Sequence, residues 1–289
     1  MHYKQYKSIL SPQNGMNLYH GCTHGCIYCD SRSKCYQMDH EFEDIEVKSN
    51  AVAMLDAELR RKRKRGMIKT GAMCDPYMHI EEEIQLTRQC LEVIHHHGFG
   101  LSIQTKSSRI LRDLDLLLAI HSQARCIVEM TLTTYDEDIC RLVEPDVSTT
   151  RERVATLEIL RDAGIPTVVW LSPILPFIND TRENILGLLS YCQHAKVKAI
   201  LCFGFGMTLR EGNREYYYAK LNQHFPGLRA KYVKRYGNSY SCMCDNNAEL
   251  MRILHAETAK AGILCGVDEV FAYMRDFSEA NGSRQLSLF

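Results

Sequence analysis

Between about residue 66 and residue 205 the chain alternates short apolar runs with amphipathic stretches, and this alternation narrows the fold more than any other feature. Runs at 67–73 (MIKTGAM), 99–105 (FGLSIQT), 126–132 (CIVEMTL), 166–172 (PTVVWLS) and 197–203 (VKAILCF) read as strands. Helix-like segments near 50–65, 81–97, 109–122, 150–163 and 181–193 lie between or beside them. Gly66, Gly98 and Gly164 fall where a helix would stop and a strand begin, which suits a helix C-cap. Such alternation predicts a parallel sheet with crossover helices. A further strand near 16–20 would bring the count to six units. The expected fold class is α/β: a partial, open (βα)6 TIM-like barrel whose site gathers at the C-terminal ends of the strands. The 289 residues suit one such barrel with a short appendage.

The composition changes past residue 210. Residues 210–244 carry Arg210, Arg214, Lys220, Arg229, Lys231, Lys234 and Arg235 against Glu211 and Glu215. Interleaved with them are Tyr216, Tyr217, Tyr218, Phe225, Tyr232, Tyr236 and Tyr240. Helix-like stretches follow at 246–261 and 267–276, and then a polar tail. The expected division is a barrel over 1–209, a basic, aromatic and helical region over 210–277, and a tail over 278–289. Lys+Arg and Asp+Glu both total 35, so a globally basic nucleic-acid binder is excluded, although a local basic patch is not. No apolar run approaches the length of a membrane-spanning helix, and the N-terminus lacks a signal-peptide core, so a cytoplasmic location is expected. In that compartment, thirteen cysteines point to metal or redox chemistry rather than to disulfides.

Three of those cysteines share one loop. "GCTHGCIYCDSRS" holds Cys22, Cys26 and Cys29 in the spacing C-x3-C-x2-C. Three thiolates so spaced can hold three irons of a cubane 4Fe–4S cluster and leave the fourth iron open, as a catalytic metal site requires. A closed structural zinc or iron–sulfur site with Cys35 as fourth ligand is the alternative. With Tyr28 just before the last cysteine, the loop resembles the signature of the radical S-adenosylmethionine (radical SAM) enzymes. That resemblance implies two cofactors, a 4Fe–4S cluster and S-adenosyl-L-methionine. It also implies an electron donor such as flavodoxin or ferredoxin, and a 5′-deoxyadenosyl radical that abstracts hydrogen from substrate.

The resemblance extends along the chain. "GMNLYHGCTHGCIYCDSRS", "CDPYMHIEEEIQLTRQCLEVI", "TKSSRILRDLDLL", "TLTTYDEDICRLVEP" and "GIPTVVWLSPILPFIND" are similar, in order and spacing, to blocks of the spore photoproduct lyase-like (DNA repair photolyase) family. It implies a carbon–carbon lyase that repairs a covalent pyrimidine lesion in DNA. It places Tyr28, Lys106, Ser107 and Asn179 near the bound S-adenosylmethionine. It makes Cys74, at the end of the second strand, a candidate hydrogen-atom donor, and Tyr77 a candidate relay. A radical SAM enzyme acting on tRNA or a peptide is a second reading. A DNA-associated protein with a structural or redox-sensing cluster is a third.

Cations and aromatics in 210–244 suit contact with distorted DNA, the cations on phosphates and the rings on extruded bases. Packing of the tyrosines as core is the alternative. Arg60 to Arg65 and His95 to His97 each read as a solvated helix end. Cys242, Cys244 and Cys265 could form a second metal site, or be free thiols. Gln285, Leu286, Ser287, Leu288 and Phe289 resemble, letter for letter, the pentapeptide by which bacterial polymerases and repair proteins dock on the sliding clamp. Leu286, Leu288 and Phe289 would fill an apolar pocket there, and the Gln285 amide would set the register.

Overall fold

The computed structural model describes residues 1–277. The clamp-like Gln285, Leu286, Leu288 and Phe289 therefore lie outside the described residues. Six parallel strands form the main sheet in sequential order: β1 (Gly15–Met16), β2 (Met67–Thr70), β3 (Gly100–Thr105), β4 (Cys126–Thr131), β5 (Thr167–Trp170) and β6 (Ala199–Leu201). Every neighbouring pair is parallel. The main crossover helices are α1 (Ala51–Arg61), α2 (Leu86–His96), α3 (Leu114–Gln123), α4 (Thr150–Asp162) and α5 (Arg182–His194). Sequential order with helical crossovers is the winding of a barrel. Among the described residues it remains open between β6 and β1, as the alternation predicts.

Residues paired across parallel strands point to the same face, and alternate residues along a strand point oppositely. One register set holds Ile68, Leu101, Ile103, Val128, Met130, Val169 and Ile200. Nearly all of these are fully buried and pack with apolar residues of the helices. The opposite set faces the barrel interior. Its apolar members Met67, Ile127, Val168, Ala199 and Leu201 cluster with Val270 and Met274 of α9 (Val267–Arg275). The helix thus covers the side that the missing strands leave open.

Two small sheets lie outside this frame. Tyr19–His20 leaves the main sheet and pairs with Glu46–Lys48, which also pairs with His2–Lys4. Gly206–Thr208 pairs with Ser241–Met243 and brackets α6 (Asn213–His224) and α7 (Leu228–Tyr236). The last long helix before α9 is α8 (Asn247–Ala261).

Several expected details shift. Gly98 (φ 68°) and Gly164 (φ 82°) do take the left-handed C-cap conformation. Gly66 does not, because α1 has ended at Arg61, and the Gly66 carbonyl instead accepts from Gly100 N at 3.1 Å. The segment 81–97 breaks at Gln85 (φ 51°) into Glu81–Ile84 and α2. The second strand stops at Thr70, so Cys74 lies four residues beyond it. The cause is local: Gly71 has φ +99°, and a Cβ there would stand 2.0 Å from the Gln104 carbonyl oxygen, so only glycine lets the chain turn against β3.

Candidate active site

The cysteine loop is pinned before it reaches its ligands. Gly21 (φ +89°) opens it where a Cβ would meet the Phe42 carbonyl at 2.4 Å, and Cys22 N donates to that carbonyl at 3.0 Å. Farther along, Ile27 N donates to Val143 O at 3.0 Å and Asp146 N to His24 O at 3.2 Å. The loop is therefore stitched to the end of the short helix Glu137–Val143 and the chain just after it. Cys22, Cys26 and Cys29 line one pocket of about 70 Å³, together with the chain after β2 and the end of β3. This is the C-terminal side of the sheet, where barrel folds carry their sites.

Their sulfurs are not grouped within 4.8 Å of one another, the closeness that ligands of a single ion show. The wider splay suits the several metals of a cluster. Burial pushes the Cys22 thiol up to about 12 and also raises Cys26 well above its ordinary value, so both need a cationic partner to ionise. Cys35 is exposed, does not line this pocket, and accepts a contact from Arg210 Nη1 at 3.4 Å. A fourth protein ligand from Cys35 has no support here. Three sulfurs and an open side fit a 4Fe–4S cluster with one unligated iron.

Two buried acids support the loop, and sequence reading missed both. Tyr28 donates its hydroxyl to Glu144 Oε1, and Arg153 Nη2 donates to Glu144 Oε2 at 2.5 Å. Arg153 also donates to Thr131 O at 2.7 Å, so the pair ties the loop to the end of β4. Glu144 and Arg153 are fully buried. Asp75 joins β2, β3 and the loop: Thr105 Oγ1 donates to it at 2.7 Å, Lys106 N at 2.7 Å, and His24 Nδ1 lies 3.5 Å away. Nothing in the local spacing reveals these partners. Asp75 and Glu144 both fall within the blocks quoted above, but neither is given a role there.

The other expected residues divide. Lys106 lines the cluster pocket, with its ammonium 5.9 Å from the centroid of the Tyr28 ring. Burial acts to lower its pKa, but the charges of Cys26, Glu144, Cys29 and Asp75 outweigh that and raise it. Cys74 lines the same pocket, while its thiol donates to the Tyr19 carbonyl at 3.1 Å, beneath the loop. Ser107 does not line it. Its hydroxyl caps the turn Ser108–Asp113 by accepting from Arg109 N at 3.2 Å. Asn179 clamps backbone: its Oδ1 accepts from Leu175 N at 2.6 Å and its Nδ2 donates to Thr133 O at 3.0 Å. Tyr77 is fully buried in the helical layer, its ring 5.6 Å from the Arg112 guanidinium, so it is not brought together with the cluster pocket. Cys242 and Cys244 contact the carbonyls of Ser239 and Ile174, and they form no close ligand group with Cys265.

The tyrosine-rich segment is largely core. Tyr217, Tyr218, Tyr232 and Tyr236 are buried and pack edge-on or tilted against one another. They cluster with Cys26, Ile27 and Tyr28 and so wall the cysteine loop. Stacking of these four rings on extruded bases is ruled out by their burial.

Comparison with known proteins agrees with this geometry. Residues 16–189, more than half of the chain, match the model of the Radical SAM superfamily. An uncharacterised protein of Mycobacterium tuberculosis is 30% identical over 227 residues, covering 76% of this chain and 66% of that protein. The chain thus spans just under two thirds of the length of that relative. An uncharacterised protein of Methanocaldococcus jannaschii is 32% identical over 174 residues, covering 60% of this chain and 64% of its own. Among solved structures, a spore photoproduct lyase mutant aligns with TM-score 0.61 at 15% identity, over 86% of this chain and 74% of that one. Another, holding S-adenosylmethionine and a dinucleoside spore photoproduct, aligns with TM-score 0.58 at 16% identity over the same shares. At these identities the likeness is one of fold. The chain belongs to the radical SAM superfamily, with a 4Fe–4S cluster and S-adenosylmethionine as its cofactors.

Proposed function

We propose that the protein is a spore photoproduct lyase-like carbon–carbon lyase that reverses a covalent pyrimidine lesion in DNA. One observation carries the reading: Ala72, just past β2, lines three spaces at once. These are the cluster pocket, a barrel-interior cavity of about 250 Å³, and a cavity of about 470 Å³ at the ends of β5 and β6. A methyl group at the junction leaves the cluster's open side facing room for both a cofactor and a substrate. The fold shared with a protein that holds a dinucleoside lesion supports that use of the space.

When bound, the cluster and S-adenosylmethionine supply the 5′-deoxyadenosyl radical, with an electron from a donor such as flavodoxin or ferredoxin. The chain's own residues do the rest. Cys22, Cys26 and Cys29 would hold the cluster, Lys106 offers a cation to the carboxylate of S-adenosylmethionine, and Tyr28, anchored on Glu144, walls the 470 Å³ cavity. Burial around the loop excludes water. Cys74 becomes a hydrogen donor on rotation of its thiol from the Tyr19 carbonyl to the pocket it already borders. Outward cations of α7, Arg229, Lys231 and Lys234, offer phosphate contacts.

The test is an anaerobic assay of the reconstituted, reduced protein on ultraviolet-irradiated DNA, with mass spectrometry of nucleosides. Restored pyrimidines together with 5′-deoxyadenosine formation are expected. Cofactor cleavage with no DNA product, and activity on tRNA instead, would overturn the substrate. We also propose that residues 285–289 dock on a bacterial sliding clamp. A fluorescent SRQLSLF peptide should bind purified clamp with micromolar affinity, on the order expected for short segments that order on binding. Equal binding of a peptide with Leu288 and Phe289 changed to Ala would refute it.

A further inference from the structure

Part of the barrel interior is polar, which a buried sheet face does not need for folding. In the same register rows as the apolar cluster covered by α9, the inward set also places Lys69, Ser102, Gln104, Glu129, Thr131 and Trp170. Glu129 is 6% exposed and has no ion-pair partner within 4 Å among the described residues. Both its oxygens are held: Ser102 Oγ donates to Oε1, and Trp170 Nε1 donates to Oε2 at 2.5 Å. Burial raises its pKa, and the two hydrogen bonds and the charge of Lys69, on the same cavity wall, offset this only in part. A buried charged carboxyl costs stability unless it is both hydrogen-bonded and paired. Of the cavities described, Glu129 lines the 250 Å³ one and not the cluster pocket. Asn17 lines the same cavity, and its buried Oδ1 has no partner.

Aromatic rings lead to this cavity. Trp170 lies on its wall and also on the wall of the 470 Å³ cavity. Its ring centroid is 6.0 Å from Phe203, and Phe203 is 6.0 Å from Phe271. Phe203 is 54% exposed, so a large apolar ring stands in water at the cavity rim. A singly exposed ring is ordinary. This one is tilted 56° to Trp170 and 39° to Phe271, so it offers a base a single exposed face beside a polar chamber.

We propose that Glu129 and Trp170, with Phe203 at the rim, form a recognition subsite for one flat, hydrogen-bonding heterocycle, a pyrimidine base. One of its faces meets an aromatic ring, and its N–H donates to the Glu129 carboxylate or to Asn17 Oδ1. This rests on the reading of the substrate as a base lesion and names the groups that would select it.

Trp170 is the sole tryptophan of the chain, so its emission reports on the subsite directly. The reconstituted protein is titrated with thymidylyl-thymidine and with the same dinucleotide methylated at N3 of both bases. Saturable quenching by the first is expected, with at least tenfold weaker binding of the second. Phe203→Ala, at an exposed position that folding does not need, should weaken binding by about tenfold, the scale of a single base stacked on a ring. Glu129→Gln should narrow the gap between the two dinucleotides. No change in emission with either dinucleotide, or equal affinity for both, would overturn the subsite. Cofactor cleavage and lesion reversal are measured on the same samples. Dinucleotide binding without lesion reversal would sink the proposed reaction and leave the subsite standing. Reversal with no role for Phe203 or Glu129 would sink the subsite alone.

Discussion

At the scale of single residues, the site depends on charges that no water reaches. Glu144 and Arg153 are fully buried, and each is the other's counter-ion. Arg153→Met would leave Glu144 buried and uncompensated, and should lower stability by about 3–5 kcal/mol. Urea unfolding of the purified variant measures this, and a loss near zero would show the pair to be replaceable. The same change should loosen Tyr28, so iron bound per chain should fall as well. Cys74 predicts the opposite pattern. Cys74→Ala removes a small group beside the loop but no ligand, so 5′-deoxyadenosine formation should persist while the products of lesion reversal change. Identical products from variant and wild type would remove Cys74 from the chemistry and leave it a packing residue of the core.

At the scale of elements, the small sheet beneath the loop sets a pH dependence. Glu46, in the strand Glu46–Lys48, is buried, which works against its charge. Hydrogen bonds from Lys4, Tyr6 and His2 more than reverse this and hold it down from 4.5 to about 2. A carboxylate with a depressed folded pKa contributes stability that is complete above its unfolded value and is lost as pH falls through the folded one. The stability gap between wild type and Glu46→Gln should therefore be full above pH 4.5 and shrink towards pH 2. A gap that widens on acidification would contradict this. Such elements also mark how far the sequence could be read. Apolar runs located five of the six strands, because a parallel strand buried on both faces is apolar by necessity. The three cysteines were legible because ligands on one loop are close in sequence. Tyr19 went astray because two residues of strand character do not say which sheet they join. The tyrosines of α6 and α7 read as a binding face because an aromatic row at helical spacing looks alike whether it meets bases or core. Glu129, Glu144 and Asp75 carry no local signal, since their long-range partners lie 9 to 116 residues away.

At the scale of the whole molecule, a net charge of zero means that any hold on a polyanion is local. On α7, Tyr232 and Tyr236 face the core, whereas Arg229, Lys231 and Lys234 are exposed. Changing these three to Gln should leave cofactor cleavage intact and flatten the salt dependence of DNA affinity, by up to about 0.9 in log–log slope for each phosphate they no longer neutralise. An unchanged slope would move the DNA to another face. The exposed rim at the ends of β5 and β6 bears on what kind of guest can approach. The seam between β6 and β1 is covered by α9, and Phe203 stands exposed on the wall of the 470 Å³ cavity. On the proposed reading, one link of an unbroken polymer could be laid against that rim while its neighbours on both sides stay outside, so the reaction would need neither a cut nor a free terminus.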